Sequence, residues 1–175
     1  MIGTGILWFG WFGFNAGSAL AADSKAGLAM LVTHLAACAG ALAWMAVEWV
    51  VRRRPSLLGL CSGVVAGLVA ITPAAGIVGP MGAIVMGAIV SPLCYFFVSV
   101  VKNKFGYDDT ADVFGVHGIG GIWGVIATGL YATTSVNETA ANGLFYGNPA
   151  QFWIQCKAAA ITIVFSFVVS FILLK

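Results

Sequence analysis

Residues 28–51 read Leu-Ala-Met-Leu-Val-Thr-His-Leu-Ala-Ala-Cys-Ala-Gly-Ala-Leu-Ala-Trp-Met-Ala-Val-Glu-Trp-Val-Val, and Arg52-Arg53-Arg54-Pro55 follows at once. A helix needs about 20 mostly apolar residues to cross a bilayer. This run is long enough, and only His34 and Glu48 interrupt it. Its basic terminus marks the cytoplasmic side, because arginine and lysine collect there. Pro55 stops the helix and opens the next one.

The same reading extends in both directions. Six spans are expected, at residues 2–22, 28–51, 57–76, 79–101, 112–133 and 153–174. Hydrophobic residues make up 61% of the 175-residue chain and charged residues 8%, with a mean hydropathy of +1.00. A soluble domain carries about 25% charged residues, so the expected fold is an all-α polytopic transmembrane bundle. Residues 1–175 form one membrane domain, with no separate soluble domain. No basic n-region or small-residue cleavage site precedes the first apolar run, so it is not read as a signal peptide.

Orientation follows from the loops. Arg52–Arg54, Lys102, Lys104 and Lys175 fall on one side, while the opposite loops hold little basic charge beyond Lys25. Both ends of the chain are therefore expected in the cytoplasm, and the 134–152 loop outside. Small residues four apart (Gly13/Gly17, Ser62/Ala66, Gly63/Gly67, Gly120/Gly124) are expected to let helices approach closely. Pro92 is a candidate kink in the fourth span. Asp108, Asp109 and Asp112 precede the fifth span, where carboxylates cap free N–H groups.

Several functions are excluded. A net charge of +2 without an extended basic patch argues against a nucleic-acid partner. Cys38, Cys61, Cys94 and Cys156 are widely spaced in apolar runs and read as packing residues, so no metal is expected. No nucleophile–base pair, ligand cluster or phosphate loop is present, so no enzyme activity and no cofactor are expected.

Ionisable residues within spans carry the functional signal, because burying them is costly. His117, in Asp112-Val-Phe-Gly-Val-His-Gly-Ile-Gly-Gly121, lies well inside the fifth span. A neutral imidazole offers one donor and one acceptor. It can relay a proton or join a polar track, or it can simply bond a neighbouring helix. His34 reads as an interfacial or packing residue, Glu48 as the i,i+4 partner of Arg52, and Lys157 as snorkelling outward. In the first span Trp11, Phe14 and Ser18 share one helix face. They form either an interfacial aromatic belt or a vestibule that attracts cations.

Three motifs together carry a resemblance. They are Gly10-Trp-Phe-Gly-Phe-Asn-Ala-Gly-Ser18, then Pro55-Ser-Leu-Leu-Gly59 with Ala66-Gly-Leu-Val-Ala-Ile-Thr-Pro73, and Asp112-Val-Phe-Gly-Val-His-Gly118. With Gly143-Leu-Phe-Tyr-Gly147 they resemble the ammonium transporter family (Amt/Mep/Rh), and its bacterial and plant Amt branch more than its Rh branch. The resemblance implies a homotrimer of eleven-helix protomers in the cell membrane, each with a narrow pore for ammonium or ammonia. It implies that Ser18 belongs to an outer recruitment site, Phe14 to an outer gate and Trp11 to the pore wall. His117 would be the second of two pore histidines and Val113 a constriction near the cytoplasmic mouth. Ser62 and Thr72 would lie on the pore side of their helix, and Asp112 would be structural. Read this way the six spans match helices 6–11, and the missing N-terminal half supplies the other pore wall. A truncated, non-conducting or regulatory membrane polypeptide is the alternative.

Overall fold

A computed structural model describes all residues, Met1–Lys175. It contains helices and turns but no strand. Six helical segments replace the six expected spans: α1 (Ile2–Gly17), α2 (Ser24–Arg52), α3 (Leu57–Ala74), α4 (Pro80–Phe105), α5 (Phe114–Tyr131) and α6 (Pro149–Leu173). Helices α2 to α6 are long and apolar enough to cross a membrane. α1 is shorter than expected. It stops at Gly17 rather than residue 22, and the chain turns through Leu20 at φ 58°. At 1.5 Å per residue it covers roughly 24 Å.

Side chains at the ends set the boundaries. The Asp23 carboxylate accepts from the backbone N–H groups of Lys25 and Ala26, both at 3.0 Å, so α2 begins at Ser24 rather than at 28. Ser56 caps α3 by accepting from Gly59 N–H at 2.9 Å. Proline occupies the first position of α4 and of α6, where its missing N–H costs nothing. Pro149 thus starts α6 four residues before the expected 153. α4 runs past Pro92, widens into a π turn at Phe97–Val101, and ends where Gly106 takes φ 62°.

Glu48 does not pair with Arg52. The chain reverses at Arg53 (φ 61°) and folds the start of α3 back over the end of α2. The Glu48 carboxylate, 3% exposed, then accepts from Ser56 N–H at 2.6 Å and from the Ser56 hydroxyl at 3.0 Å. It satisfies a helix N-terminus, where donors are free and negative charge is favoured. The Arg52 guanidinium lies over the Tyr95 ring instead, 5.7 Å from its centroid.

Helices α2, α3 and α4 form the centre. A Cβ on Gly67 or on Gly87 would collide with the Ala36 carbonyl, and one on Gly40 would collide with the Gly63 carbonyl. The Ser91 hydroxyl donates to Gly40 O at 2.6 Å, tying α4 to α2. α5 docks on this centre through Gly124, which faces the Ala70 carbonyl, and through Trp123 Nε1, which donates to Met86 O at 3.1 Å. The loop after α5 is pinned to the α3–α4 turn: Thr133 N–H donates to Ile77 O at 3.0 Å and Asn137 Nδ2 to Gly76 O at 3.2 Å.

α6 packs against α5 and the short Leu144–Tyr146 turn, and is otherwise exposed. An open cleft of about 920 Å³ separates its Thr162, Ser166 and Ser170 from Gly118 and Gly121 of α5. Its outward face is apolar, including Ile161, Val164, Phe165 and Val168. Such a surface suits lipid or other membrane helices rather than water.

Overpacking a core costs roughly 1–3 kcal/mol, and at Gly67 the obstacle is backbone that cannot swing aside. Gly67→Val is expected to lower the thermal unfolding midpoint in detergent by several degrees. Gly82→Ala meets only ordinary contacts at 3.6 Å and should leave that midpoint unchanged.

Candidate functional site

Three helices converge on Trp11. Its indole Nε1 donates to Thr72 Oγ1 of α3 at 2.8 Å. The same Thr72 hydroxyl donates to Leu68 O at 2.8 Å, which fixes its rotamer. The Trp11 ring stacks on His117 of α5, with centroids 6.4 Å apart and planes 26° from parallel. Phe14, one turn further along α1, stands edge-on to Trp11 at 6.2 Å. Thr72 begins the 3₁₀ turn Thr72–Ala74, where Pro73 ends the regular part of α3.

α1 is held in place from behind. Asn15, on the buried side, donates through Nδ2 to Thr33 Oγ1 of α2 at 2.9 Å. With Asn15 turned inward, Phe14 faces outward and is 62% exposed. His117 is exposed on the same open side as the ring it stacks against. Phe14 and His117 are therefore both uncovered, on either side of the Trp11 ring.

Ser18 follows the end of α1 and donates to Phe14 O at 2.7 Å. Its oxygen remains free to accept. With Phe14, Lys25, Thr72 and Asn137 it lines a cleft of about 290 Å³ at the end of the bundle where α3 turns into α4. Ser62 and Val113 belong to the opposite end. Ser62 lies ten residues before Thr72 on α3, roughly 15 Å along the axis, and donates to Leu58 O at 3.1 Å. Val113 is exposed just before α5. The structure thus groups Trp11, Phe14, Thr72 and His117, places Ser18 beyond them, and leaves Ser62 and Val113 apart.

The helix bearing His117 begins in an unusual way. Phe114–Gly118 form a π turn, so the imidazole sits on a widened coil. π turns are rare and concentrate at functional sites. Of the three carboxylates expected to cap this helix, Asp109 does so. Its Oδ1 accepts from Val113 N–H at 2.8 Å, and its Oδ2 from Phe114 and Gly115 N–H at 3.0 and 3.3 Å. Asp112 adopts φ 53° and pairs with Lys102 at 2.7 Å instead. Asp108 accepts from the Thr110 hydroxyl at 2.9 Å. Three aspartates in five positions signal a cap without saying which one reaches back over the turn.

His34 stacks on Trp8 at 5.2 Å and lies 6.0 Å from the Phe12 ring, a packing arrangement. Cys61 and Cys94 are buried, Cys38 and Cys156 half-buried, and all four are free thiols. No group of three potential metal ligands occurs.

Thr72→Val keeps the shape of the side chain but strands the Trp11 N–H. The expected cost is about 1–3 kcal/mol, read as a lower unfolding midpoint in detergent. Thr72→Ser retains the acceptor and should recover most of it.

The profile of the Ammonium Transporter Family matches residues 1–175. An ammonium transporter of Bacillus subtilis is 53% identical over 174 residues, covering 99% of this chain and 43% of the relative. One from Aquifex aeolicus is 53% identical over 173 residues, covering 99% and 40%. Among solved structures, Saccharomyces cerevisiae Mep2 superposes with a TM-score of 0.94 at 36% identity, over 98% of this chain and 39% of that one. Candida albicans Mep2 gives 0.93 at 37% identity, over 98% and 39%. The chain therefore spans about two-fifths of the length of the relatives it matches. With its apolar helices and this likeness over nearly every residue, the chain is a multi-pass membrane protein that belongs to the ammonium transporter family.

Proposed function

We propose that residues 1–175 are the C-terminal half of an ammonium transporter and furnish one wall of its pore. The observation that carries this reading is the exposed face where Trp11, Phe14 and His117 line up, braced by Thr72. A matching N-terminal half would close that face, in a homotrimer in the cell membrane with both ends of this chain cytoplasmic.

The physics of the cargo orders the roles. Moving a bare cation of this size into an apolar interior costs on the order of 20 kcal/mol in the idealised limit. Cation–π contacts return only about 0.5–2 kcal/mol each. An outer site can therefore gather ammonium while water still helps solvate it, but it cannot carry the ion through. Ser18 contributes a hydroxyl oxygen that accepts from the cation, and Phe14 an aromatic gate face. Neutral ammonia then crosses the apolar stretch, where His117 supplies a donor and an acceptor or takes up a proton. Trp11 keeps that stretch dry and orients the imidazole by stacking. Val113 would narrow the inner end and Ser62 offer a last hydroxyl.

The test is a hybrid in which residues 1–175 replace the corresponding part of the Bacillus subtilis relative. Proteoliposomes holding the hybrid are expected to take up methylammonium. His117→Ala should lower the rate by about a hundredfold if the imidazole relays the proton. Unchanged uptake by that variant would remove His117 from the mechanism. Residues 1–175 alone should give no uptake, because Phe14 and His117 then face lipid.

A further inference from the structure

Lys102 forms the one ion pair in the molecule. Its Nζ lies 2.7 Å from Asp112 Oδ1 and donates to Asp109 O at 2.6 Å. Lys102 belongs to the end of α4, and both aspartates to the connection that launches α5. Three features make this more than an ordinary exposed pair, which contributes little on its own.

The lysine first grips the backbone of the residue whose side chain caps α5. Asp109 offers its carbonyl to Lys102 and its carboxylate to three N–H groups of the next helix. Its position is thereby set from both ends. Lys102 also pairs with Asp112 at a left-handed φ of 53°, a conformation that L-residues rarely adopt without support. Finally, the turn so launched is the π turn Phe114–Gly118, which carries His117. A π turn is one residue wider than an α turn. Relaxing it to regular helix would rotate His117 relative to Val113 and away from Trp11.

The α4 side of the contact is shaped to match. The π turn Phe97–Val101 immediately precedes Lys102. Phe97 meets Phe114 edge-on at 6.3 Å, and a Cβ on Gly115 would collide with Val98. Two widened turns thus pack together, and Lys102 locks the polar end of their contact.

We propose that Lys102 is a positioning residue for transport: by holding Asp109 and Asp112 it keeps the π turn that aims His117 at Trp11. This rests on the reading of His117 as a pore residue.

The test uses the same hybrid in proteoliposomes, with methylammonium as the probe. Lys102→Met is expected to lower the maximal rate by about tenfold, since small misplacements are costly, with little change in the half-saturating concentration set at the outer site. The pH profile of uptake should shift with it, because the imidazole has a new environment. Asp112→Asn should reproduce both effects, and the double variant should be no worse than either single one. Lys102→Arg, which can span the same two oxygens, should restore most of the rate.

Wild-type rate and pH profile in Lys102→Met overturn the proposal. So does disappearance of both Lys102→Met and Asp112→Asn from the membrane, which would make the pair a folding element. An unmutated hybrid that is inactive beside an active Bacillus subtilis protein refutes the transport reading itself, and the proposal falls with it.

Discussion

The whole arrangement depends on one close approach of backbones. The Ala36 carbonyl of α2 sits where Gly67 of α3 and Gly87 of α4 have no side chain. One turn along, Gly40 and Gly63 face each other's carbonyls in the same manner, and Ser91 bonds Gly40 O. In lipid the hydrophobic effect does not drive helices together, so association rests on packing and on polar contacts between backbones. A bare Cα–H facing a carbonyl supplies both, as a short contact and a weak hydrogen bond.

From this centre the site inherits its precision. α3 is fixed, so Thr72 is a stationary acceptor for the Trp11 indole. α5 lies against α3 through Gly124 and Ala70, so His117 arrives at a set height. α1 packs on α2 and α3 and is secured by directed bonds, Asn15 to Thr33 and Trp11 to Thr72. Trp11, Phe14, Thr72 and His117 are thus carried on packed helices, while the polar loops do the joining.

The end of the bundle where α2 meets α3 and α4 meets α5 is organised differently. Carboxylates and free helix N-termini satisfy each other there. Glu48 takes the N–H of Ser56, the cap of α3, and Asp109 takes those of Val113, Phe114 and Gly115 at the start of α5. Glu48 escapes an unpaired burial, and each helix escapes orphaned donors. Lys102 then pairs with Asp112 and bonds the Asp109 carbonyl, which joins the end of α4 to the connection before α5.

Much of this was legible from residue order. Apolar runs of span length between charged loops determined the number and type of helices, because lipid admits few alternatives to a helix. Proline and serine marked where α3 began, and Gly63/Gly67 marked a close contact. The three motifs pointed to the family, and the helical spacing of Trp11 and Phe14 put them on one face. Tertiary structure alone decided which partners those residues found. Glu48 was assigned its sequence neighbour Arg52, yet it bonded Ser56, because a chain reversal brings unsatisfied N–H groups closer than any i,i+4 charge. The contacts of Gly40 with Gly63 and of Gly87 with Ala36 could not be read from the sequence, since each partner lies on another helix. The stacking of Trp11 on His117, the choice of Asp109 over Asp112 as cap, and the π turns all depend on helices distant in sequence meeting at fixed heights. Periodicity along one helix specifies which face is apolar, whereas the rotation and offset of that helix against its neighbours are set by packing between chain segments.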